Sequence, residues 1–240
     1  MTPHPFSRVL DRDRAAATIR RGLVVSAIGL AGLAAVIVLV QWFTPTEARQ
    51  GLAQKIFYVH APSAWSALLA FSMVGLSGGL YLWLRDPRLD IFAEASSEVG
   101  LVFSAMMLTT GPLWGKPIWG TWWQWEPRLT LTLLLVFLFI GYRALRNALS
   151  DPSERARYSA IVGVLGLLLV PFVHLSVYLF RTIHPQPVLL KPSAPSMPPV
   201  MLRALLLSLA VFTVLYVGFV TARYGIGLLR EAKGGEQHAD

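Results

Sequence analysis

Residues 22–43 read GLVVSAIGLAGLAAVIVLVQWF, an apolar run without a charged side chain. The hydrocarbon layer of a bilayer is about 30 Å thick, and a helix needs about 20 apolar residues to cross it. The run is therefore long enough to span a membrane as one α-helix. It is also too long for the core of a signal peptide, and no small-residue cleavage site follows it, so we interpret it as a permanent span.

Five further apolar blocks follow this run. The chain is 55% hydrophobic and 14% charged, whereas a soluble domain carries about 25% charged residues. The sequence therefore predicts an all-α integral membrane protein, with residues 1–240 forming a single six-span domain. The predicted transmembrane helices cover residues 22–43, 62–84, 96–112, 129–145, 158–180 and 201–223.

The basic residues predict the orientation of these spans. Of the 21 Lys and Arg residues, about two thirds lie in the two termini and in the connectors after spans two and four. The positive-inside rule then places both termini in the cytoplasm. The outer connectors are residues 44–61, 112–128 and 181–200. Because the net charge of +8 is spread over short connectors and forms no compact basic face, we expect no nucleic acid partner.

The second outer connector, residues 112–128, reads PLWGKPIWGTWWQWEPR. Its prolines bracket a stretch that predicts a short tryptophan-rich helix, in which Trp119, Trp122 and Trp123 share one face. An interfacial aromatic belt explains the isolated tryptophans elsewhere, but a belt spreads over many helices. The cluster favours a platform for a large, planar, apolar ligand. It contains five of the eight tryptophans, namely Trp114, Trp119, Trp122, Trp123 and Trp125.

The histidines add a metal-binding chemistry to this platform. His60 and His184 border the outer side, and imidazole is a common axial ligand of heme iron. His174 lies within the fifth span, where it is either a neutral histidine bonded between helices or a functional group. His4 and His238 lie in polar termini and are expected to be solvated. Because the chain has no cysteine, thiolate ligands and disulfides are excluded.

Two other outer features remain open at this stage. A heme carries propionates, for which Arg128 is the favoured cation among the basic residues of the outer connectors, the others being Lys116, Lys55 and Arg49. The third outer connector has six prolines between Pro185 and Pro199, which predict an extended strap. Such a strap docks a partner, shields a site or is simply a loop.

The stretch WGTWWQWEPRLT, beginning at Trp119, resembles the signature of the heme exporter protein C family, the heme-handling subunits of bacterial cytochrome c maturation. The family pattern runs close to WG-x-x-W-x-W-D-x-R-L-T, and Glu126 stands here in place of its aspartate. The resemblance implies a protein of the bacterial inner membrane that binds heme transiently at its periplasmic face. It also implies that His60 and His184 are the axial iron ligands.

The resemblance further implies the partners. Heme would pass to a periplasmic heme chaperone, and the chain would work with an ATP-binding cassette ATPase, a second membrane subunit and a small single-span subunit. The chain has no G-x-x-x-x-G-K-[ST] loop, so ATP hydrolysis would belong to the ATPase partner and no catalytic residue is expected here.

Two other functions are compatible with part of this pattern. A permease for heme or another solute would need polar residues inside the spans, and few are present. A membrane redox cytochrome with stably bound heme normally places histidine pairs on facing helices within the spans. Histidine ligation also predicts that heme occupancy falls below a pH of about 6.5, the unperturbed histidine pKa.

Overall fold

The computed structural model describes residues 12–237, with side chains as far as Lys233. These residues form six α-helices and no β-strand, and each helix is long and apolar enough to cross a membrane. The predicted all-α, six-span fold is therefore confirmed. His4, His238 and Arg8 lie outside the described residues. The helices are α1 (Arg12–Val38), α2 (Phe57–Leu84), α3 (Pro87–Trp119), α4 (Pro127–Ala148), α5 (Pro152–Leu179) and α6 (Pro199–Gln237).

Three of the helices begin with the same local signal. A side-chain carboxylate accepts a hydrogen bond from a backbone N–H of the first turn, and the next residue is a proline, whose missing N–H costs nothing at that position. These starts are Asp86-Pro87 for α3, Glu126-Pro127 for α4 and Asp151-Pro152 for α5.

Helix α3 does not end at residue 112, as the sequence predicted, but continues to Trp119. Gly120 stops it by adopting a left-handed conformation (φ 76°), and its N–H donates to the carbonyl of Lys116 at 3.0 Å. Only glycine adopts this conformation at little cost, so glycine rather than proline ends the helix.

This helix end changes the geometry of the tryptophan cluster. Trp114 and Trp119 lie on the last two turns of α3, whereas residues 121–126 form no helix. The predicted short helix with Trp119, Trp122 and Trp123 on one face is therefore wrong. Helix α2 likewise begins earlier than predicted, at Phe57, so that His60 lies in its first turn rather than in the connector before it.

Helix α2 is central to the bundle and packs against α3, α5 and α6, while α1 runs along α6 and α4 packs on α5. The interior combines aromatic contacts with small residues that allow close approach of the helices. The rings of Phe71 and Phe139 stack at 3.8 Å between α2 and α4. On the outside of α1, Leu23, Val24 and Ile28 are each about 60% exposed, as expected for side chains that face lipid.

Candidate functional site

A cavity of about 460 Å³ lies at the end of the bundle where α2 begins and α3 ends. Its walls come from α2, α3, the segment after Gly120, the start of α4, α5, α6 and residues 183–190 of the proline-rich connector. The walls are largely apolar and aromatic, which is typical of a site for an organic ligand. The structure brings most of the predicted site residues to this cavity: His60, Trp114, Trp119, Trp122, Trp123, Arg128 and His184.

Four of these rings form a continuous row from one histidine to the other. The ring centroids are 5.6 Å apart for His60 and Trp114, 6.0 Å for Trp114 and Trp119, and 6.2 Å for Trp119 and His184. Trp125 does not line the cavity; it is 77% exposed and packs edge-on against Trp123 at 5.7 Å. The row places both imidazoles on one aromatic surface.

The hydrogen bonds of His60 indicate which ring nitrogen carries its proton. Its Nδ1 lies 3.2 Å from the hydroxyl oxygen of Thr110. Thr110 donates its only proton to the carbonyl of Met106 at 2.7 Å, so the hydroxyl accepts from His60 and Nδ1 is the donor. The Nε2 atom then keeps its lone pair, as a metal ligand requires.

Gly111 allows α3 to pass close to this imidazole. A Cβ atom at position 111 would lie 3.1 Å from Cε1 of His60, which is closer than an ordinary van der Waals contact. The glycine therefore lets Thr110, its neighbour, reach Nδ1 of the histidine.

His184 shows the same tautomer through a different partner. Its Nδ1 lies 3.2 Å from the carbonyl oxygen of Pro185, which can only accept, so Nε2 again keeps the lone pair. Burial in the apolar cavity, assisted by the nearby positive charge of Arg128, lowers the pKa of His184 from 6.5 to about 3. This imidazole therefore stays neutral at physiological pH.

Glu126 holds the His184 loop and does not line the cavity. The carboxylate is 7% exposed, and its Oε1 accepts from the N–H of Leu129 at 2.9 Å, which caps α4. Its Oε2 accepts from the hydroxyl of Thr182. The Thr182 hydroxyl oxygen in turn accepts from the backbone N–H of His184 at 3.0 Å. Glu126 thus connects the start of α4 to the backbone of a candidate ligand.

Two donors at the cavity wall have no partner among the described residues. Nη1 of Arg128 and Nε1 of Trp123 are buried and make no hydrogen bond within the described part of the chain. A buried, unpaired donor costs about 1–3 kcal/mol, and an acceptor on a ligand would remove that cost. A carboxylate fits both donors.

Two of the other predicted outer cations are occupied elsewhere. Lys55 donates to the carbonyl of Gln41 at 2.6 Å, and Lys116 donates to the carbonyl of Gly120 at 2.9 Å. Neither of them, nor Arg49, lines the cavity. Arg128 is therefore the basic residue of the outer connectors that reaches the cavity.

His174 lies on the cavity wall, deeper along α5. Its Nε2 is 3.2 Å from the carbonyl oxygen of Leu190, which can only accept a hydrogen bond. The Nε2 of His174 therefore carries the proton, whereas the Nε2 atoms of His60 and His184 carry lone pairs. The bond attaches the proline-rich connector to α5. Val188 and Leu189 of this connector pack on the apolar cluster around Met201 and Leu205, so that the connector covers one side of the cavity.

Sequence reasoning missed several residues that shape the site. Gln50 accepts from the indole N–H of Trp114 at 3.1 Å, and Phe57 packs on the same ring with centroids 5.5 Å apart. Thr110 and Thr182 orient the two histidines. Single polar residues in connectors or spans carry no spacing signal, so only the contacts reveal these roles.

The fold and this cavity define the protein as a polytopic helical membrane protein with an aromatic pocket that presents two imidazoles at one end of its bundle. The chain belongs to the heme exporter protein C family, whose sequence model matches residues 9–238. This result confirms the resemblance noted from the tryptophan-rich signature.

Individual relatives support the assignment. Heme exporter protein C of Haemophilus influenzae is 37% identical over 191 residues, which are 79% of this chain and 77% of that protein. The protein of that name from Bradyrhizobium diazoefficiens is 34% identical over 174 residues, 72% of this chain and 66% of the relative. The one from Escherichia coli is 34% identical over 158 residues, 63% of this chain and 64% of the relative. The chain thus spans about two thirds of the length of the latter two relatives.

Proposed function

We propose that this protein binds heme in the aromatic cavity and passes it to a periplasmic heme chaperone for cytochrome c assembly. The observation that carries the proposal is the row from His60 to His184, in which both imidazoles keep Nε2 free for iron. The names of the relatives, heme exporter protein C, support heme as the ligand. Heme is here a cargo that the protein holds and releases.

The remaining wall residues suit the other parts of a heme. Tryptophan rings offer flat apolar surface to a porphyrin, and Trp114 and Trp119 lie between the two histidines. Arg128 and Trp123 would satisfy their unpaired donors on a propionate carboxylate. The cavity thus provides iron ligands, apolar walls and a cationic edge.

The proposed setting is the bacterial inner membrane, with the cavity facing the periplasm, because the basic residues are concentrated at the opposite side of the bundle. The proposed partners are an ATP-binding cassette ATPase, a second membrane subunit and a small single-span subunit. The chain lacks a phosphate-binding loop motif, so ATP hydrolysis is assigned to the ATPase partner.

The test is the visible absorption spectrum of the detergent-purified protein after heme is supplied. We expect a Soret band in the wild type, and a band that weakens or shifts in both His60→Ala and His184→Ala. His174→Ala is the matched control, because this histidine lines the same cavity but already uses its Nε2 on Leu190. Its Soret position should match that of the wild type.

Three outcomes would count against the proposal. If the wild type shows no Soret band, the protein does not bind heme and the proposal is wrong. A band that changes equally in all three variants would show that His60 and His184 are not the specific iron ligands. Heme retained through purification and through addition of the chaperone would favour a redox cytochrome over a transfer subunit.

A further inference from the structure

A second cavity, of about 480 Å³, lies at the opposite end of the bundle, where α3 and α5 begin and α4 ends. Its wall is more polar than that of the aromatic cavity and carries charges of both signs. The acidic side chains are Asp90, Glu94 and Glu231. The basic side chains are Arg146, Arg155, Arg223 and Arg230.

Part of this charge is neutralised by ion pairs within the bundle. Arg146 pairs with Asp90 at 2.5 Å and with Glu94 at 3.2 Å, and Arg223 pairs with Glu94 at 3.4 Å. Arg155 and Arg230, by contrast, form no ion pair with an acidic side chain of residues 12–233. Two guanidinium groups of the wall are therefore left for a further anion.

Two donors of the wall residues are also unsatisfied within the described part of the chain. Nε of Arg146 and Nε of Arg155 are buried and have no hydrogen-bond partner among the described residues. The Arg146 side chain is only 3% exposed, so water at the surface does not solvate it. A buried unpaired donor on a charged group is costly, and Arg146 and Arg155 both line this cavity. An acceptor that reaches these nitrogens would therefore be bound favourably.

The ends of two helices also favour the binding of an anion, although more weakly than the arginines do. Pro87 and Pro152 line the cavity, and they are the first residues of α3 and α5, where the helix dipole favours an anion. The capping carboxylates of Asp86 and Asp151 already take up part of that effect. The arginines therefore carry the argument.

We propose that this inner cavity binds a phosphate group, such as the headgroup phosphate of an anionic phospholipid. Guanidinium groups bind phosphate through paired N–H donors, and the wall offers several of them. The cavity lies at the basic end of the bundle, the end expected to meet the anionic cytoplasmic leaflet. This site is independent of the heme site, and nothing in the argument for it uses the aromatic cavity.

The test is thermal unfolding of the purified, delipidated full-length protein in a nonionic detergent. Phosphatidylglycerol is titrated in one arm and inorganic phosphate in the other, at constant ionic strength. We expect a rise in Tm with the lipid, and about tenfold more lipid for half of that rise in Arg155→Gln and in Arg230→Gln. Arg157→Gln is the control, because Arg157 is an exposed residue of α5 outside the cavity and should respond like the wild type.

The arms separate the sources of the phosphate. Stabilisation by inorganic phosphate at similar concentrations, lost in the same variants, would assign the cavity to a soluble phosphate compound. The proposal is overturned if neither arm raises the Tm of the wild type, or if all three variants respond equally. Arg230 is exposed, so its variant is expected to fold even if that of Arg155 does not.

Discussion

Two imidazoles present their Nε2 atoms because two oxygens hold their Nδ1 protons. For His60 that oxygen is the hydroxyl of Thr110, and for His184 it is the carbonyl of Pro185. A hydrogen bond on one ring nitrogen selects the tautomer and leaves the other nitrogen free for a metal. At the residue scale, the site therefore depends on an oxygen atom beside each imidazole as well as on the imidazole itself.

Glu126 is the first such residue to test. In Glu126→Gln the charge is lost and the acceptor for Thr182 is weakened, so the His184 backbone loses its anchor. We expect the Soret band to shift as in His184→Ala, with heme bound about tenfold more weakly, because one charge-assisted hydrogen bond is lost. Absorbance during heme titration is the measurement.

Thr182→Val is the companion variant, since it removes the same link but leaves the N-cap of α4 in place. A normal Soret band in Thr182→Val together with a shifted band in Glu126→Gln would show that the cap, and not the link to His184, matters for heme.

The lowered pKa of His184 predicts that heme occupancy falls only at a pH well below the value of about 6.5 expected from an unperturbed histidine. With a pKa of about 3, this imidazole stays neutral well below the ordinary histidine range. The His184 contribution to heme binding should therefore remain constant between pH 7.5 and 5. A Soret band that loses half its intensity near pH 6.5 would contradict the burial of His184.

The same shift predicts a pH effect on the stability of the heme-free protein. Below pH 6.5 the unfolded state binds a proton at His184 that the folded state, with its lower pKa, does not bind. The contribution of His184 to the free energy of unfolding is therefore fully present above about pH 6.5, and it decreases as the pH falls towards 3. The Tm of the wild type should drop between pH 7 and 5 more steeply than that of His184→Gln, and parallel curves would exclude this contribution.

At the scale of helices, contact between α1 and α6 depends on glycine. A Cβ atom at Gly218 would lie 2.6 Å from the backbone nitrogen and 2.7 Å from the hydroxyl of Ser26. Because the nitrogen belongs to the backbone of α1, the helices must separate to admit even a methyl group. We expect Gly218→Ala to destabilise the protein by about 1–3 kcal/mol, the usual cost of overpacking.

Gly141 of α4 is the matched control. A Cβ atom there has nothing within 4 Å, so Gly141→Ala should be neutral or stabilising by up to about 1 kcal/mol, since alanine favours the helix. Unfolding monitored in detergent compares the two variants. Equal stabilities would show that α1 and α6 adjust freely at their crossing.

At the scale of the whole molecule, the two ends of the bundle are held by different forces. The aromatic end relies on ring contacts and single hydrogen bonds, whereas the opposite end contains a network of ion pairs across α3, α4 and α6. The network joins Asp90, Glu94 and Glu98 to Arg143, Arg146 and Arg223.

Arg146 is the most buried member of this network, and its removal should therefore be the most damaging. Arg146→Met leaves the Asp90 carboxylate without its partner, and breaking a buried pair in this way costs about 3–5 kcal/mol. Arg143→Met is the comparison, because the side chain of Arg143 is 21% exposed and water can solvate the acids that it leaves. A smaller loss of Tm in Arg146→Met than in Arg143→Met would contradict the assigned role.

The sequence alone determined the class of the fold. Span number, helical content and the positions of His60, His184 and the tryptophans near one side follow from local hydrophobic length, because a bilayer imposes that length on each helix separately. The boundaries were less accurate, since helices such as α3 continue beyond their apolar stretch until a residue like Gly120 ends them.

Only the tertiary structure decided how these residues work together. The tautomers of the histidines, the link from Glu126 through Thr182 to His184 and the unpaired donor of Arg128 depend on contacts between distant parts of the chain. The inner cavity arises in the same way, from five helices that bring Arg146 and Arg155 together. Periodicity and composition describe each segment separately, and such contacts exist only once the segments have packed.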